Sequence, residues 1–345
     1  TYNLPDSTIK QGNKVMDATL YTGNLAGQVI TNAATFQPDL VWVKSRSAAT
    51  DNKLTDSVRG ATKALVSNST AAETTDLTGV VSLNSNGFTL GTSTTYNNLA
   101  ATYVGWQWQA GAGSSSSNTN GTITSTVSVN ASAGFSVVTY TGTGANATVG
   151  HGLGVAPSFI IVKDRTTAAR FWTVYHQILG NTQYLELDSV NAAATSALAW
   201  NNTSPTSSVF TIGTGNTVNS ADAYVAYCWS EISGFSKFGS YTGNNSTNGP
   251  FVYTGFRPKF VLIKSSTYGG VDSNWNIIDT TRNPSNVVTA YLNADQSGAE
   301  SSYAGWDILS NGFKLRNVGG SLNNSGATYI YAAFAENPFR NALAR

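Results

Sequence analysis

Residues 251–264, FVYTGFRPKFVLIK, decide the fold, because two other segments repeat their plan. Residues 149–163 read VGHGLGVAPSFIIVK, and residues 30–44 read ITNAATFQPDLVWVK. In each, a proline is followed by one residue, a run of large apolar residues and a lysine: Pro38, Pro157 and Pro258 lead to Lys44, Lys163 and Lys264. Upstream, a Tyr-Thr-Gly begins at Tyr21, Tyr140 and Tyr241, and each tyrosine precedes its proline by the same interval. A fixed internal spacing of this kind marks one module used three times.

Each module has a second fixed point at its far end, beginning at Tyr103 (YVGWQW), Tyr224 (YVAYCW) and Tyr329 (YIYAAF). Val104, Trp106 and Trp108 alternate there with Tyr103, Gly105 and Gln107, the period of a strand with one face in the core. The proline-led segment is apolar at consecutive positions, which predicts a strand buried on both faces. Its proline sits at the strand's first residue, where no ladder donor is lost, and its lysine is expected where the chain regains water. Residues 172–176 and 184–189 read as further strands. Asn86-Gly87 and Asn311-Gly312 read as type I′ hairpin turns, and a longer loop at Pro205 is expected in the second module. Helix is nearly absent, the best candidate being residues 56–66, with one more turn after Pro338. The expected fold is therefore all-β, three tandem antiparallel β-sandwich modules of jelly-roll or lectin-like type.

The boundaries place an N-terminal arm at residues 1–13, modules at 14–110, 134–231 and 232–345, and a Ser/Gly-rich linker with a lead-in strand at 111–133. The run GAGSSSSNTNG (111–121) reads as a flexible spacer on which the first module swings, whereas the short join between the second and third implies rigid packing.

Composition narrows the function. Only 11% of the 345 residues are charged, with 19 basic and 18 acidic, against roughly a quarter in an average globular chain. Ser, Thr, Asn and Gly fill the gap, giving a neutral, hydrogen-bonding surface. The field that draws in nucleic acid is missing, so no nucleic-acid partner is expected. No apolar run is long enough for a membrane helix, and no signal-peptide pattern opens the chain. Thr1 fits removal of an initiator methionine, so cytosolic synthesis without export is expected. Cys228 stands alone and forms no internal disulfide.

The motifs GFSVVTYTG (134–142), VGHGLGVAPSFIIVKDR (149–165), SNGFKL (310–315) and YIYAAFAENPF (329–339) resemble a repeat family of bacteriophage virion proteins, especially tail-fibre-like proteins of marine phages. The resemblance covers nearly the whole chain and implies a structural or receptor-binding role in a virion. It implies assembly in the host cytoplasm, partners among other virion proteins, and self-association, as a trimer if the protein is a fibre. It supplies no catalytic residue. The first module departs most from the pattern, with Asp39 and Trp42 in the strand and no His-Gly pair.

Each chemistry-bearing residue has a plain alternative. Glu186 and Asp188, two apart on a strand, share one face as a glycosidase pair would, but they read better as a solvent face opposite Leu185 and Leu187. His151 and His176 lie in different turns with no cysteine companion, so neither a metal site nor a cofactor is expected. The Asn-x-Ser/Thr triplets at Asn68, Asn120, Asn146 and Asn245 follow from composition. Aromatics near loop-like stretches are the better prospect, because a sugar's C–H face stacks on a ring while Asn and Ser read its hydroxyls. Tyr96, Trp200, Tyr268 and Trp275 are the candidate ligand-binding residues, whereas Trp106, Trp108, Trp229 and Trp306 are in strand phase and expected in the core.

The function expected is a non-enzymatic fibre-like or spike-like virion protein adhering to host surface polysaccharide and to neighbouring subunits. The alternatives are a capsid-decorating or cement protein with no external ligand, and a tailspike glycan depolymerase.

Overall fold

The computed structural model describes residues 12–336. The arm expected at residues 1–13 and the turn expected after Pro338 lie almost wholly or wholly outside the described residues. The fold is all-β, built from antiparallel sheets in a sandwich-like arrangement.

One strand order recurs in all three repeats. In the first, the opening strand Met16–Thr22 pairs with the closing strand Thr102–Trp108. The closing strand pairs in turn with the proline-led strand Leu40–Ser45, beyond which lie Lys53–Asp56 and Lys63–Val66. Phe135–Thr141, Ala223–Trp229, Phe159–Asp164, Thr173–His176 and Gln183–Glu186 repeat that order. So do Ser236–Thr242, Thr328–Ala335, Pro258–Ser265, Asn276–Asp279 and Val288–Asn293. A small second sheet covers the first two modules, from Gln28–Thr31, Gly87–Leu90 and Val80–Asn84 in one, and Ala147–Gly150 with Val209–Ile212 in the other. In the third module, the long strand Ser301–Leu309 joins both layers into one eight-stranded sheet that curls toward a barrel. The repeated tyrosines face each other across the opening and closing strands. Tyr21–Tyr103, Tyr140–Tyr224 and Tyr241–Tyr329 stack with ring centroids 5.1, 5.2 and 5.0 Å apart.

The modules close on one another in a ring. At each seam a residue just beyond one module's outer strand donates its backbone N–H to the carbonyl two residues after the next module's lysine. The pairs are Glu73 to Arg165 (2.9 Å), Ala193 to Ser266 (2.9 Å) and Glu300 to Arg46 (2.8 Å). At the centre, the aromatic ends of the closing strands, Trp108, Trp229 and Phe334, meet with centroids 5.8 to 6.5 Å apart. One apolar core therefore runs through all three modules. Arg59 and Glu73 of the first module meet Arg165 of the second, and Arg282 and Glu300 of the third meet Arg46 of the first, as parallel charge clusters. His176 and the partly buried Leu179 occupy the corresponding places at the remaining seam.

Several expectations are overturned. The first module has no freedom to swing, because it is held at two seams and the spacer is tied down. Buried Asp39 accepts from the backbone N–H of Ala110 (2.7 Å), Ala112 (2.8 Å) and Gly113 (2.8 Å). Ser116–Asn118 then adds as a strand beside Ser125–Asn130. Residues 56–66 are a strand end, a turn over 57–62 and the strand Lys63–Val66 rather than a helix, since Asp56 Oδ1 captures the N–H groups of Val58 and Arg59. Both hairpins form, but their two-residue loops are Ser85-Asn86 and Ser310-Asn311. Gly87 and Gly312 start the returning strands, where a Cβ would stand 2.0 Å from Ile30 O and 2.1 Å from Val252 O. They are there for close strand approach.

The three lysines do not reach water. Lys44, Lys163 and Lys264 are fully buried, each turned back onto loop carbonyls. Lys44 Nζ donates to Thr50 O (2.7 Å) and, across a seam, to Ser297 O (2.9 Å), while Lys163 and Lys264 bond Arg170 O and Ser273 O. Burial pulls the Lys44 ammonium down to about 8, with Asp51 opposing. It lowers Lys163 and Lys264 as well, against the pull of Asp188 and Asp295.

Candidate functional site

Of the four aromatic candidates, three are core. Tyr96 is 1% exposed; the one-turn helix Thr94–Asn97 folds it over the first module's second core, beside Ile30, Phe88 and Tyr103. Trp200 is 1% exposed and packs edge-on to Tyr175, with centroids 5.7 Å apart. Trp275, also 1% exposed, is a seam residue whose indole N–H donates to Glu186 O (2.8 Å). Trp172 Nε1 makes the same bond to Val66 O (2.9 Å), and Asn52 Nδ2 to Asn293 O (3.1 Å), so this position holds all three seams. Loop-like sequence around these rings conceals segments that fold back over apolar surface, where burial of a large ring stabilises most.

Tyr268 alone is exposed, at 41%. Its loop is fixed by Ser265 Oγ, which accepts from the Tyr268 N–H (3.0 Å), and by Ser273 Oγ, which donates to the Tyr268 carbonyl (2.7 Å). With Asn245, Thr267, Asn324 and Ser325 it lines a shallow hollow of about 520 Å³. The lining is neutral and polar, and Asn245, singled out in the sequence only as part of a triplet, contributes to it.

Two further cavities sit in the third module. One, of about 710 Å³, lies beside the Arg257–Glu336 ion pair (2.5 Å) and is walled by Pro284, Asn286 and Ile308. The other, of about 120 Å³, lies under exposed Tyr303 and is lined by Tyr291, Trp306, Asn317 and Leu322. Trp306 is core, as its strand phase predicts, but among the described residues its indole Nε1 has no hydrogen-bond partner, and neither has Asn317 Oδ1. Nothing in the sequence pattern marked Asn317 or Tyr303, since both depend on the long third-module strand and the loop that follows it.

The titratable groups face one another rather than a cleft. Glu186 accepts from Asn191 Nδ2 (3.1 Å) at the surface. Asp188 lies past the strand end, its Oδ1 accepting from the Trp172 N–H (3.1 Å), and burial raises its carboxyl with Lys163 opposing. Both residues are partly exposed and stand opposite buried Leu185 and Leu187, as expected, although Asp188 turns one oxygen back onto the Trp172 N–H. Asp295 repeats the place of Asp188, accepting from the Trp275 N–H at 3.0 Å. His151 and His176 are both buried, His151 just past the strand Ala147–Gly150 and His176 at the end of the strand Thr173–His176. His176 Nδ1 accepts from the Ile178 N–H (3.2 Å) and Nε2 donates to Tyr331 O (3.2 Å), and burial drops its pKa to about 4. His151 is bound in the same way by Leu153 and Thr206, and burial lowers it too. Cys228 is buried and its thiol is pushed up.

A third set of repeated residues escaped the sequence reading. Asn97, Asn219 and Asn323 are fully buried, and each side chain ties loops together ahead of the closing strand. Asn97 Nδ2 donates to Gly91 O, Asn219 Nδ2 to Gly213 O, and Asn323 Nδ2 to Asn317 O. Their near-constant distance to the closing tyrosine was the available signal.

These features define an all-β repeat protein with buried charge clusters at its internal seams and, in its third module, two neutral hollows lined in part by tyrosines. The chain belongs to the family described as Domain of unknown function (DUF7483), whose model matches residues 11–338. No curated protein and no solved structure shows significant similarity to it.

Proposed function

We propose that this chain is a non-enzymatic structural and adhesive component of a bacteriophage particle, seated among other virion proteins and contacting host surface polysaccharide through its third module. The observation that carries the reading is the ring itself. Carboxylates that could serve hydrolysis, such as Asp56, Glu73, Asp279 and Glu300, are held by guanidinium groups at or beside the seams. The open hollows offer neutral hydrogen-bonding groups and aromatic rings instead. Acid–base hydrolysis needs a free acid and base flanking a bond, whereas weak recognition of an uncharged glycan needs only stacking and hydrogen bonds, multiplied by copy number. The virion setting rests on the resemblance of the repeated motifs to tail-fibre-like proteins.

A second reading is a purely architectural particle protein. The closed ring of three like modules favours it, because such a body matches a threefold axis in a particle. A trimer of the chain, expected of a fibre, would use a surface other than the seams, since those are filled within one chain.

Purified protein incubated with host cells and with extracted surface glycan separates the readings. Saturable binding without release of reducing ends is the expected result. Release of reducing ends would overturn it in favour of a depolymerase, and absence of glycan binding with retained affinity for the particle would leave the architectural role.

A further inference from the structure

We propose that the 120 Å³ cavity beneath Tyr303 is a subsite for the acetamido group of an N-acetylated sugar, an inference that rests on the adhesive reading above and gives it a ligand class. Two of the residues that line the cavity carry open polar atoms with opposite requirements. Trp306 Nε1–H, on a fully buried ring, can only donate, and Asn317 Oδ1, on a side chain 4% exposed, can only accept. Neither has a partner among the described residues. A buried donor and acceptor left open are costly unless something enters to pair with them, and native structures rarely keep them without a reason.

The remaining lining limits what enters. Leu322 is buried and apolar, Tyr291 stands edge-on to Trp306 with centroids 6.0 Å apart, and Tyr303 is 49% exposed at the mouth. No charged side chain lines the cavity, so an anionic or cationic group would lose its hydration without compensation. The space holds about four waters at roughly 30 Å³ each. An acetamido group has four heavy atoms: its carbonyl accepts from Trp306, its N–H donates to Asn317, and its methyl meets the apolar wall. The sugar ring then lies outside, against the face of Tyr303.

Trp108, Trp200 and Trp229 also carry buried indole N–H groups without a partner among the described residues, but Trp306 shares its cavity with a residue whose acceptor is open, Asn317. Trp306 pairs with Leu315 where, in the first module, Val80 pairs with Leu90, and valine has no donor to offer. The second module has no strand at that place in its small sheet.

The test is saturation-transfer NMR and calorimetry of the full chain with N-acetylglucosamine, N-acetylgalactosamine, glucose and galactose. The expected result is one site per chain, saturation strongest at the acetyl methyl, and no binding of the sugars lacking it. Trp306→Phe and Asn317→Ala are each expected to weaken binding about tenfold, the loss of one buried hydrogen bond. If Trp306→Phe does not fold, Tyr303→Ala at the exposed mouth serves in its place and is expected to weaken binding by loss of stacking. Equal binding of glucose, weak saturation at the methyl, or variants that bind as the parent does would overturn the proposal. Retained binding of extracted host glycan in that event leaves the adhesive reading standing, whereas loss of all glycan binding removes both.

Discussion

The Tyr227 hydroxyl of the second module donates a 2.8 Å hydrogen bond to Asp56 Oδ2 of the first. The corresponding places elsewhere are Trp106 Nε1 on Asp279 Oδ2 (3.0 Å) and His176 Nε2 on Tyr331 O (3.2 Å). Each seam thus adds, to its backbone and charge contacts, one side-chain hydrogen bond at this place, drawn from different chemistry at each.

Breaking one seam should weaken the whole chain. Asp56→Ala leaves the buried Arg59 guanidinium without its nearest carboxylate, and removal of one member of a buried ion pair costs about 3–5 kcal/mol. Tyr227→Phe removes only the hydroxyl and should cost about 1–3 kcal/mol. Calorimetry should show a single transition moving to lower temperature in both. A separate early transition with the enthalpy of one module would mean that the seams do not couple the modules.

Asp39 holds the spacer. Asp39→Ala should free the N–H groups of Ala110, Ala112 and Gly113, so hydrogen exchange across residues 110–118 should speed up well before the rest of the first module is affected. Unchanged protection there would show that the paired strand Ser116–Asn118 is enough to hold the segment.

Stability should rise with pH between about 8 and 10. Lys44 is folded with a pKa of about 8, whereas an unfolded lysine keeps its proton to about 10.4. Across that window the unfolded chain binds more protons than the folded one, so raising the pH favours folding; the gain is lost as pH falls back through 8. Lys163 and Lys264 act in the same direction. Burial raises the core tyrosines Tyr21, Tyr140 and Tyr241, which reverses the trend above their unfolded range. Denaturation at pH 7.5 and 9.5 should show a gain of order 1 kcal/mol or more, smaller in Lys44→Met. A falling stability over this range would contradict the burial of these ammonium groups.

Gly87→Ala and Gly312→Ala should each destabilise by more than the same change at Gly298. A methyl at the first two would meet a strand carbonyl at 2.0 and 2.1 Å, while nothing described lies within 4 Å of a Cβ at Gly298. Urea melts of the three variants compare them directly, and equal midpoints would show that the strands can part without cost.

Three proline-led and three closing strands were legible from residue spacing alone, as was the all-β class, because alternation and apolar runs report which faces of a strand meet apolar surroundings; the repeated Tyr-Thr-Gly marked a place without showing that it ends an opening strand. What lies across from a strand in another repeat leaves no mark on that period. Trp275 reads as a loop aromatic until Glu186 of the preceding module is brought against it, and Lys264 reads as an exit to water until the Ser273 loop folds over its ammonium. Trp306 was placed correctly in the core, but its unpaired N–H appears only when the loop carrying Asn317 is set beside it.

By itself the sequence determined the repeated proline-led and closing strands, the evenly spaced tyrosines that mark each repeat and the neutral composition of the surface, all properties of local period and residue type. Tertiary structure alone decided the closure of three modules into a ring, the burial of the lysines and the siting of open hydrogen-bonding groups in the third module. Those depend on contacts between residues far apart in the chain, where burial changes what a polar group can bind and whether it keeps its charge.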